Sequence, residues 1–223
     1  MNMLKNSLSI AFLLCVFVTS AQFTDDFSDG EFIANPTWLG DTSRFEVLAG
    51  QLHLNDTMAN TSSLSVKSNA IFNASWEFWI KMEFNSTSAN YARFYMVSDE
   101  ENLTGAVYGY FLKIGGSEDE ISLYRQEGTN EVEIIDGVDK LIDSSNVEIR
   151  LKVTRDSLAN WRVYADLSGD TNFVILGNII DSNYINSSYT GVSCIYTVSR
   201  ADKFYFDDIV VTGTSVPDIV GPR

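Results

Sequence analysis

The sequence predicts an all-β protein, an antiparallel two-sheet jelly-roll sandwich, on the basis of three observations. Apolar and polar side chains alternate strictly over residues 75–84 and 146–154, which is typical of half-buried strands. About a dozen short β-rich runs follow one another, and turn residues separate them. No segment sustains the apolar stripe of an amphipathic helix. Many short strands in a chain of 223 residues favour two packed sheets.

The predicted strands lie between residues 43 and 212, and residues that favour turns separate several of them. In chain order they span residues 43–48, 50–54, 62–67, 75–84, 91–98, 108–115, 120–126, 131–136, 146–154, 160–167, 189–197 and 203–212. Cys194, a small thiol among apolar neighbours, is expected to fill a strand interior. The apolar faces of the two most regular strands predict these buried side chains: Trp76, Phe78, Ile80, Val147, Ile149 and Leu151.

The composition describes a globular protein with an acidic surface. Hydrophobic residues make up 45% of the chain and charged residues 20%, which argues against a disordered or low-complexity protein. Its 30 acidic residues against 15 basic ones give a net charge of -15, so the protein repels nucleic acids and anionic membrane surfaces. His53 is the single histidine, which argues against His-rich zinc sites and Cys/His catalysis.

Three segments are predicted along the chain. Residues 1–21 combine Lys5, a short apolar run and a Thr-Ser-Ala ending, as secretory signal peptides do. That run is shorter than the roughly 20 residues that span a bilayer, and no later segment comes close, so no membrane span is expected. Residues 22–213 form the jelly-roll domain. Residues 214–223 hold two of the three prolines and indicate a linker to further domains or a loose tail.

Several segments resemble a known group of domains. They are residues 23–30 (FTDDFSDG), 35–41 (NPTWLGD), 50–54 (GQLHL), 108–117 (YGYFLKIGGS) and 204–211 (FYFDDIVV). These segments resemble the N-terminal concanavalin A/laminin G-like jelly-roll domain of secreted multidomain surface proteins of Bacteroidota-type bacteria, over nearly the whole mature chain. The resemblance implies this fold and a secreted or cell-surface location, often with Ig-like or lamin-tail domains downstream. It brings no shared catalytic motif.

Aspartates near the two ends of the domain are candidate ligands of a structural calcium ion. Simple alternation in the last strand places Val210 on the face of Phe204 and Phe206, and it leaves Asp207 and Asp208 among apolar neighbours. A carboxylate buried there must be neutralised, hydrogen-bonded or bound to a cation. The predicted ligands are Asp25, Asp26, Asp29, Asp207 and Asp208, because jelly-roll lectin-like domains commonly hold calcium where terminal strands meet. The alternative is that these acids cap turns.

Aromatic and basic residues on polar strand faces are candidates for glycan binding. Trp79 points with Glu77 and Lys81, away from the apolar stripe of its strand. Flat rings beside hydrogen-bonding groups are how sugar-binding sheets contact pyranose faces. The predicted ligand-binding residues are Trp79, Arg93, Tyr95, Tyr110 and Tyr124, and the expected partner is a polysaccharide or cell-surface glycan. The alternative is that these rings are core residues or ordinary cross-strand pairs.

Three functions remain open at this point. The leading hypothesis is a non-enzymatic module for adhesion or glycan binding, and its rivals are a glycoside hydrolase or lyase and a structural spacer. Laminarinase-like glycosidases carry Glu-x-Asp-x-x-Glu on one strand, since a nucleophile and an acid must flank the glycosidic bond. In Glu131, Glu133 and Asp136 the second and third acids are exchanged relative to that pattern, so a solvated strand face is favoured over catalysis.

Overall fold

The computed structural model describes residues 21–168 and 172–217, and their regular structure is almost entirely β-strand. Two 3-10 helices, Thr42–Arg44 and Val198–Arg200, are also present. In these ranges no helix is long and apolar enough to cross a membrane. The strands are β1 (Ala21–Asp25), β2 (Leu39–Gly40), β3 (Phe45–Leu48), β4 (Gln51–Leu54), β5 (Asn60–Lys67), β6 (Phe72–Met82), β7 (Tyr91–Ser98), β8 (Val107–Gly115), β9 (Ile121–Gly128), β10 (Asn130–Ile135), β11 (Val147–Arg155), β12 (Asn160–Asp166), β13 (Val174–Ile180), β14 (Tyr189–Tyr196) and β15 (Phe204–Thr214).

These strands form two antiparallel sheets, which confirms the predicted fold class. Sheet A has the order β13-β12-β11-β6-β15-β4-β3, and β1 also pairs with β15. Sheet B has the order β10-β9-β8-β7-β14-β5-β2. Neighbouring strands are often far apart in the chain, as β6 and β15 are, so long connections cross between the sheets. The outcome is a jelly-roll sandwich with one inner and one outer face on each sheet.

The core lies between the two inner faces, where the regular alternation placed it. All six side chains predicted to be buried are at most 4% exposed. Phe78 of sheet A stacks on Phe94 of sheet B with ring centroids 4.0 Å apart, so this pair joins the sheets directly. Cys194 is fully buried, as predicted, and burial raises the pKa of its thiol. His53 is also buried, and its ring nitrogens contact Glu46 and the carbonyl oxygen of Asp202.

The two ends of the domain meet, as predicted, because β1 pairs with β15. Thr24 lies opposite Val210, and Asp25 lies opposite Ile209. Val216 packs against the core beyond the end of β15. Residues 1–20 of the predicted leader and residues 218–223 of the predicted linker lie outside the described residues.

The alternation expected for the last strand is wrong in its second half. One extra residue lies between the pairs Asp207 with Trp79 and Val210 with Glu77, which is a β-bulge. Asp208 at this bulge has a φ of 50°, in the left-handed region. The bulge reverses the phase of the strand. Ile209 is therefore fully buried, whereas Val210 faces outward and is half-buried.

We expect Phe78→Ala to lower the free energy of unfolding by about 3–5 kcal/mol, because it leaves a cavity where the two sheets touch. The matched control is Ile180→Ala, since Ile180 is apolar but 70% exposed. That control is expected to change stability by less than about 0.5 kcal/mol. Urea unfolding followed by circular dichroism measures both. Similar small effects for the two variants would contradict the packing described here.

Candidate functional site

The five residues predicted to bind glycan lie in three different places. Trp79 is on the outer face of sheet A, beside Arg150 and Asp207 in register. Arg93, Tyr95 and Tyr124 are on the outer face of sheet B. Tyr110 lies between the sheets, fully buried, and its hydroxyl donates to Asp181. The structure therefore brings three of the five residues together.

The outer face of sheet B carries a row of aromatic rings. Tyr95, Phe111 and Tyr124 are neighbours in register on β7, β8 and β9. The centroid of Phe111 lies 5.1 Å from that of Tyr95 and 5.2 Å from that of Tyr124, the latter pair being stacked. Leu103 and Val107 cover one end, so Tyr95 is fully buried, while Tyr124 is only partly buried. The row forms a small second core outside the sandwich.

Arg93 lies on this aromatic row in a fixed orientation. Its guanidinium carbon is 4.6 Å from the centroid of Phe111, a cation–π contact. The guanidinium donates to the hydroxyls of Tyr91, at 3.0 Å, and Tyr95, at 3.3 Å. Glu131 on β10 completes the arrangement with an ion pair at 2.8 Å. Ring stacking and three partners hold this charge in one position before any ligand arrives.

A buried glutamine attaches the neighbouring loop to the same face. The hydroxyl of Tyr95 donates to the side-chain oxygen of Gln126 at 2.8 Å. The side-chain nitrogen of Gln126 donates to the carbonyl oxygens of Gly105, at 3.2 Å, and Gly128, at 2.8 Å. Gln126 is only 3% exposed, so its role is to hold the loop that contains Gly105 in place. The loop thereby forms one wall beside Arg93.

A groove of about 350 Å³ results on this face. Tyr91, Arg93 and Glu131 line one part of it, and residues 103–106 line another. The far wall comes from β14 and includes Ser193. Donors, acceptors and ring surfaces therefore converge on a volume within the range of small-ligand sites.

Four of the five predicted calcium ligands surround one depression near the terminal strands. Asp25, Asp26, Asp29 and Asp208 line it, and Arg150 lines it too and forms an ion pair with Asp208. Arg150 thus supplies positive charge next to these acids. Asp207, the fifth predicted ligand, lines a neighbouring depression that shares Arg150 and Asp208 with this one.

Most of these aspartates also cap turns, which was the alternative to a metal. The carboxylate of Asp25 accepts hydrogen bonds from the indole of Trp38, at 2.7 Å, and the backbone of Phe27, at 3.0 Å. Asp26 accepts from the backbone and hydroxyl of Ser28, which lower its pKa. Such bonds satisfy the carboxylates without an ion.

A different group of acids converges more closely. In the described ranges, the carboxylates that gather as a set of three are those of Glu120, Glu133 and Asp136, whose oxygens lie within 4.8 Å of one another. Glu120 is only 6% exposed, and its Oε2 atom has no hydrogen-bond partner. Burial raises the pKa of Glu120, and the charges of Glu133 and Asp136 raise it further. Hard oxygen donors with an unpartnered buried atom fit a divalent cation such as calcium.

The cluster meets the aromatic row at Tyr124. The hydroxyl of Tyr124 donates to Glu133, and burial together with this bond raises the pKa of Tyr124. Glu131 in the groove and Glu133 in the cluster are two residues apart on β10. The sequence analysis had grouped Glu131, Glu133 and Asp136 as a set of acids. It missed Glu120, which directly precedes β9 and is therefore distant from the other acids along the chain.

Comparison with solved structures finds the same fold in carbohydrate recognition domains. The carbohydrate recognition domain of Emp47p has a TM-score of 0.65 at 14% identity, covering 88% of this chain and 97% of that one. The exoplasmic/lumenal domain of VIP36, with Ca2+ and Man3GlcNAc bound, has a TM-score of 0.63 at 12% identity, covering 91% and 92%. The metal-free Emp46p domain has a TM-score of 0.60 at 14% identity, covering 82% and 90%. No protein-family model and no curated protein sequence matches this chain.

At these identities the comparison establishes the fold, a concanavalin A-like jelly roll. This agrees with the fold that the sequence resemblance implied. The bacterial surface-protein context implied by that resemblance stays a prediction.

We expect Glu120→Gln to raise the melting temperature at neutral pH in the presence of a chelator. The folded-state pKa of Glu120 lies above its unfolded value, so this residue's contribution to stability falls as pH rises through the folded pKa. A gain of roughly 1 kcal/mol corresponds to about 2–4 °C in a domain of this size. The difference from wild type should shrink near pH 4, close to the ordinary carboxyl pKa.

Glu118→Gln is the control, because Glu118 is exposed in the same loop and loses the same charge. It should leave the melting temperature nearly unchanged at both pH values. A lower melting temperature for Glu120→Gln at neutral pH would contradict the unfavourable burial of this carboxylate.

Proposed function

We propose that this protein is a secreted, non-catalytic carbohydrate-binding module, and that the groove on the outer face of sheet B binds a polysaccharide or cell-surface glycan. The observation that carries the proposal is Arg93, held on the ring of Phe111 by Tyr91, Tyr95 and Glu131 at the groove wall. The fold shared with carbohydrate recognition domains supports it.

The groove offers the contacts that a sugar ring requires. The partly exposed ring of Tyr91 supplies flat apolar surface, and Arg93 and Glu131 supply donors and acceptors for neighbouring hydroxyls. These polar groups are already ordered by one another, so binding costs little side-chain entropy. In this proposal Gln126 holds the attached loop in place, and the loop forms one wall of the site.

We also propose that Glu120, Glu133 and Asp136 hold a structural calcium ion. The positive charge of the ion would balance the negative charge of the three carboxylates. Waters or carbonyl oxygens would complete its six to eight ligands. By fixing Glu133 it would fix the hydroxyl of Tyr124 at the edge of the aromatic row. The cation would thereby order the end of the aromatic row on which Arg93 lies.

The arrangement of acids favours binding over hydrolysis. A glycosidase needs a carboxyl group that donates a proton and a second carboxylate close to the scissile bond. Glu131 is already engaged in an ion pair with Arg93 at the groove wall. Glu120 has a raised pKa but is almost fully buried, out of contact with a surface ligand. The module and its predicted linker, residues 214–223, are accordingly proposed as a non-catalytic part of an extracellular protein.

Arg93→Ala is expected to weaken glycan binding by about 10- to 100-fold, since it removes charge-assisted hydrogen bonds worth roughly 1.5–3 kcal/mol. The measurement is a glycan array followed by titration calorimetry on the best hits. Arg162→Ala is the matched control, because Arg162 lies on sheet A and is 37% exposed. No binding by wild type would favour the structural spacer. New reducing ends released from a bound glycan would favour the hydrolase.

Calcium is expected to raise the melting temperature, and a chelator to reverse the rise, because a ligand of the folded state adds stability by mass action. Glu133→Gln should abolish the shift. Asp26→Asn should retain it, since Asp26 belongs to the acids near the terminal strands. A shift lost in Asp26→Asn and kept in Glu133→Gln would move the calcium site to those strands instead.

A further inference from the structure

The outer face of sheet A carries a depression that the groove on sheet B does not use. Trp79 lies in it, between Arg150 on β11 and Asp207 on β15 in register. Its volume is about 470 Å³, and Gln51 on β4 lines its far side. Because the whole core separates the two sheets, this depression cannot share a ligand ring with Arg93.

The bulge in β15 shapes this depression. Asp208 stands in left-handed backbone geometry, which a residue other than glycine adopts only at a cost. Its carboxylate reaches Arg150, so an ion pair forms one edge of the depression. Asp207 is left beside Trp79 on the other edge. Bulges often redirect side chains at binding sites, and here the two consecutive acids frame one aromatic ring.

The groups around Trp79 are those that recognise sugar hydroxyls. The amide of Gln51 and the carboxylate of Asp207 come no closer than a long contact of 3.5 Å, which leaves both open to a ligand. Asp207 also accepts its neighbour's backbone N–H at 2.7 Å, which orients the carboxylate. The guanidinium of Arg150 adds planar donors. The partly exposed indole of Trp79 can contact the apolar face of a pyranose ring. The amide, carboxylate and guanidinium groups around it can bond to the hydroxyls at the edge of that ring.

We propose that this depression is a second carbohydrate site, and that it takes neutral sugars. Three carboxylates, those of Glu148, Asp207 and Asp208, line it against the single guanidinium of Arg150. The excess negative charge repels uronic acids and sulfated sugars. The site is independent of the groove on sheet B, so the domain binds glycan on two opposite faces.

Tryptophan fluorescence tests the proposal because Trp79 is the accessible member of the four tryptophans. Trp38, Trp76 and Trp161 are at most 1% exposed, so acrylamide quenches mainly Trp79. The full chain is titrated with hexasaccharides of cellulose, mannan, laminarin and xylan, and with oligogalacturonate as the anionic probe. At least one neutral oligosaccharide should protect the fluorescence from quenching, and the anionic probe should not.

Variants assign the protection to the depression. Asp207→Asn and Gln51→Ala should each weaken the protecting sugar by about tenfold, and Arg93→Ala should leave it unchanged. If Arg93→Ala loses binding on the glycan array but keeps the protection of Trp79, the protein has two sites. If Arg93→Ala keeps both, the site around Trp79 is supported and the groove is overturned. Absence of protection by all neutral probes, or protection by oligogalacturonate, would overturn the second site.

Discussion

The apolar layer between sheets A and B is the constraint on which both candidate binding surfaces depend. Each strand gives one of its two faces to that layer, so only the opposite face reaches solvent. β6 illustrates this arrangement, because Trp76 and Phe78 are fully buried while the ring of Trp79 points outward. Sheets packed face to face lie about 10 Å apart, so Trp79 and Arg93 occupy surfaces that one ligand cannot bridge.

Regular alternation made most of the fold predictable from the sequence. β6 and β11 were placed within a few residues, and their inward faces were assigned correctly. The strands that were missed lack that signal. β1 and β2 have only five and two residues, and β13 is an edge strand whose apolar residues are largely exposed, so burial does not impose alternation on it. The bulge in β15 was equally invisible, because one added residue changes the phase without changing the composition.

The candidate site was harder to predict because it depends on register between strands. Consecutive aromatics in β8, Tyr110 and Phe111, left open which ring faces the core, and the structure turns Tyr110 inward and Phe111 outward. Glu120 and Glu133 approach each other only through the pairing of β9 with β10. Leu103, which covers Tyr95, lies in a loop whose path follows from no local pattern. The sequence therefore predicted which kinds of residue could bind a ligand, but not which of them lie together in the structure.

The pairing of β1 with β15 has a mechanical consequence. The strands run antiparallel, with Ala21 opposite Thr212 and Asp25 opposite Ile209, so the chain enters and leaves the sandwich at the same end of this pair. Tension applied at Ala21 and Thr214 would load the hydrogen bonds of the pair one after another, beginning at the open end. Peeling of this kind resists force far less than sliding two strands past each other, where all the bonds share the load. Under traction the first event would be detachment of β1, which would release Asp25 from the indole of Trp38 before the core opens.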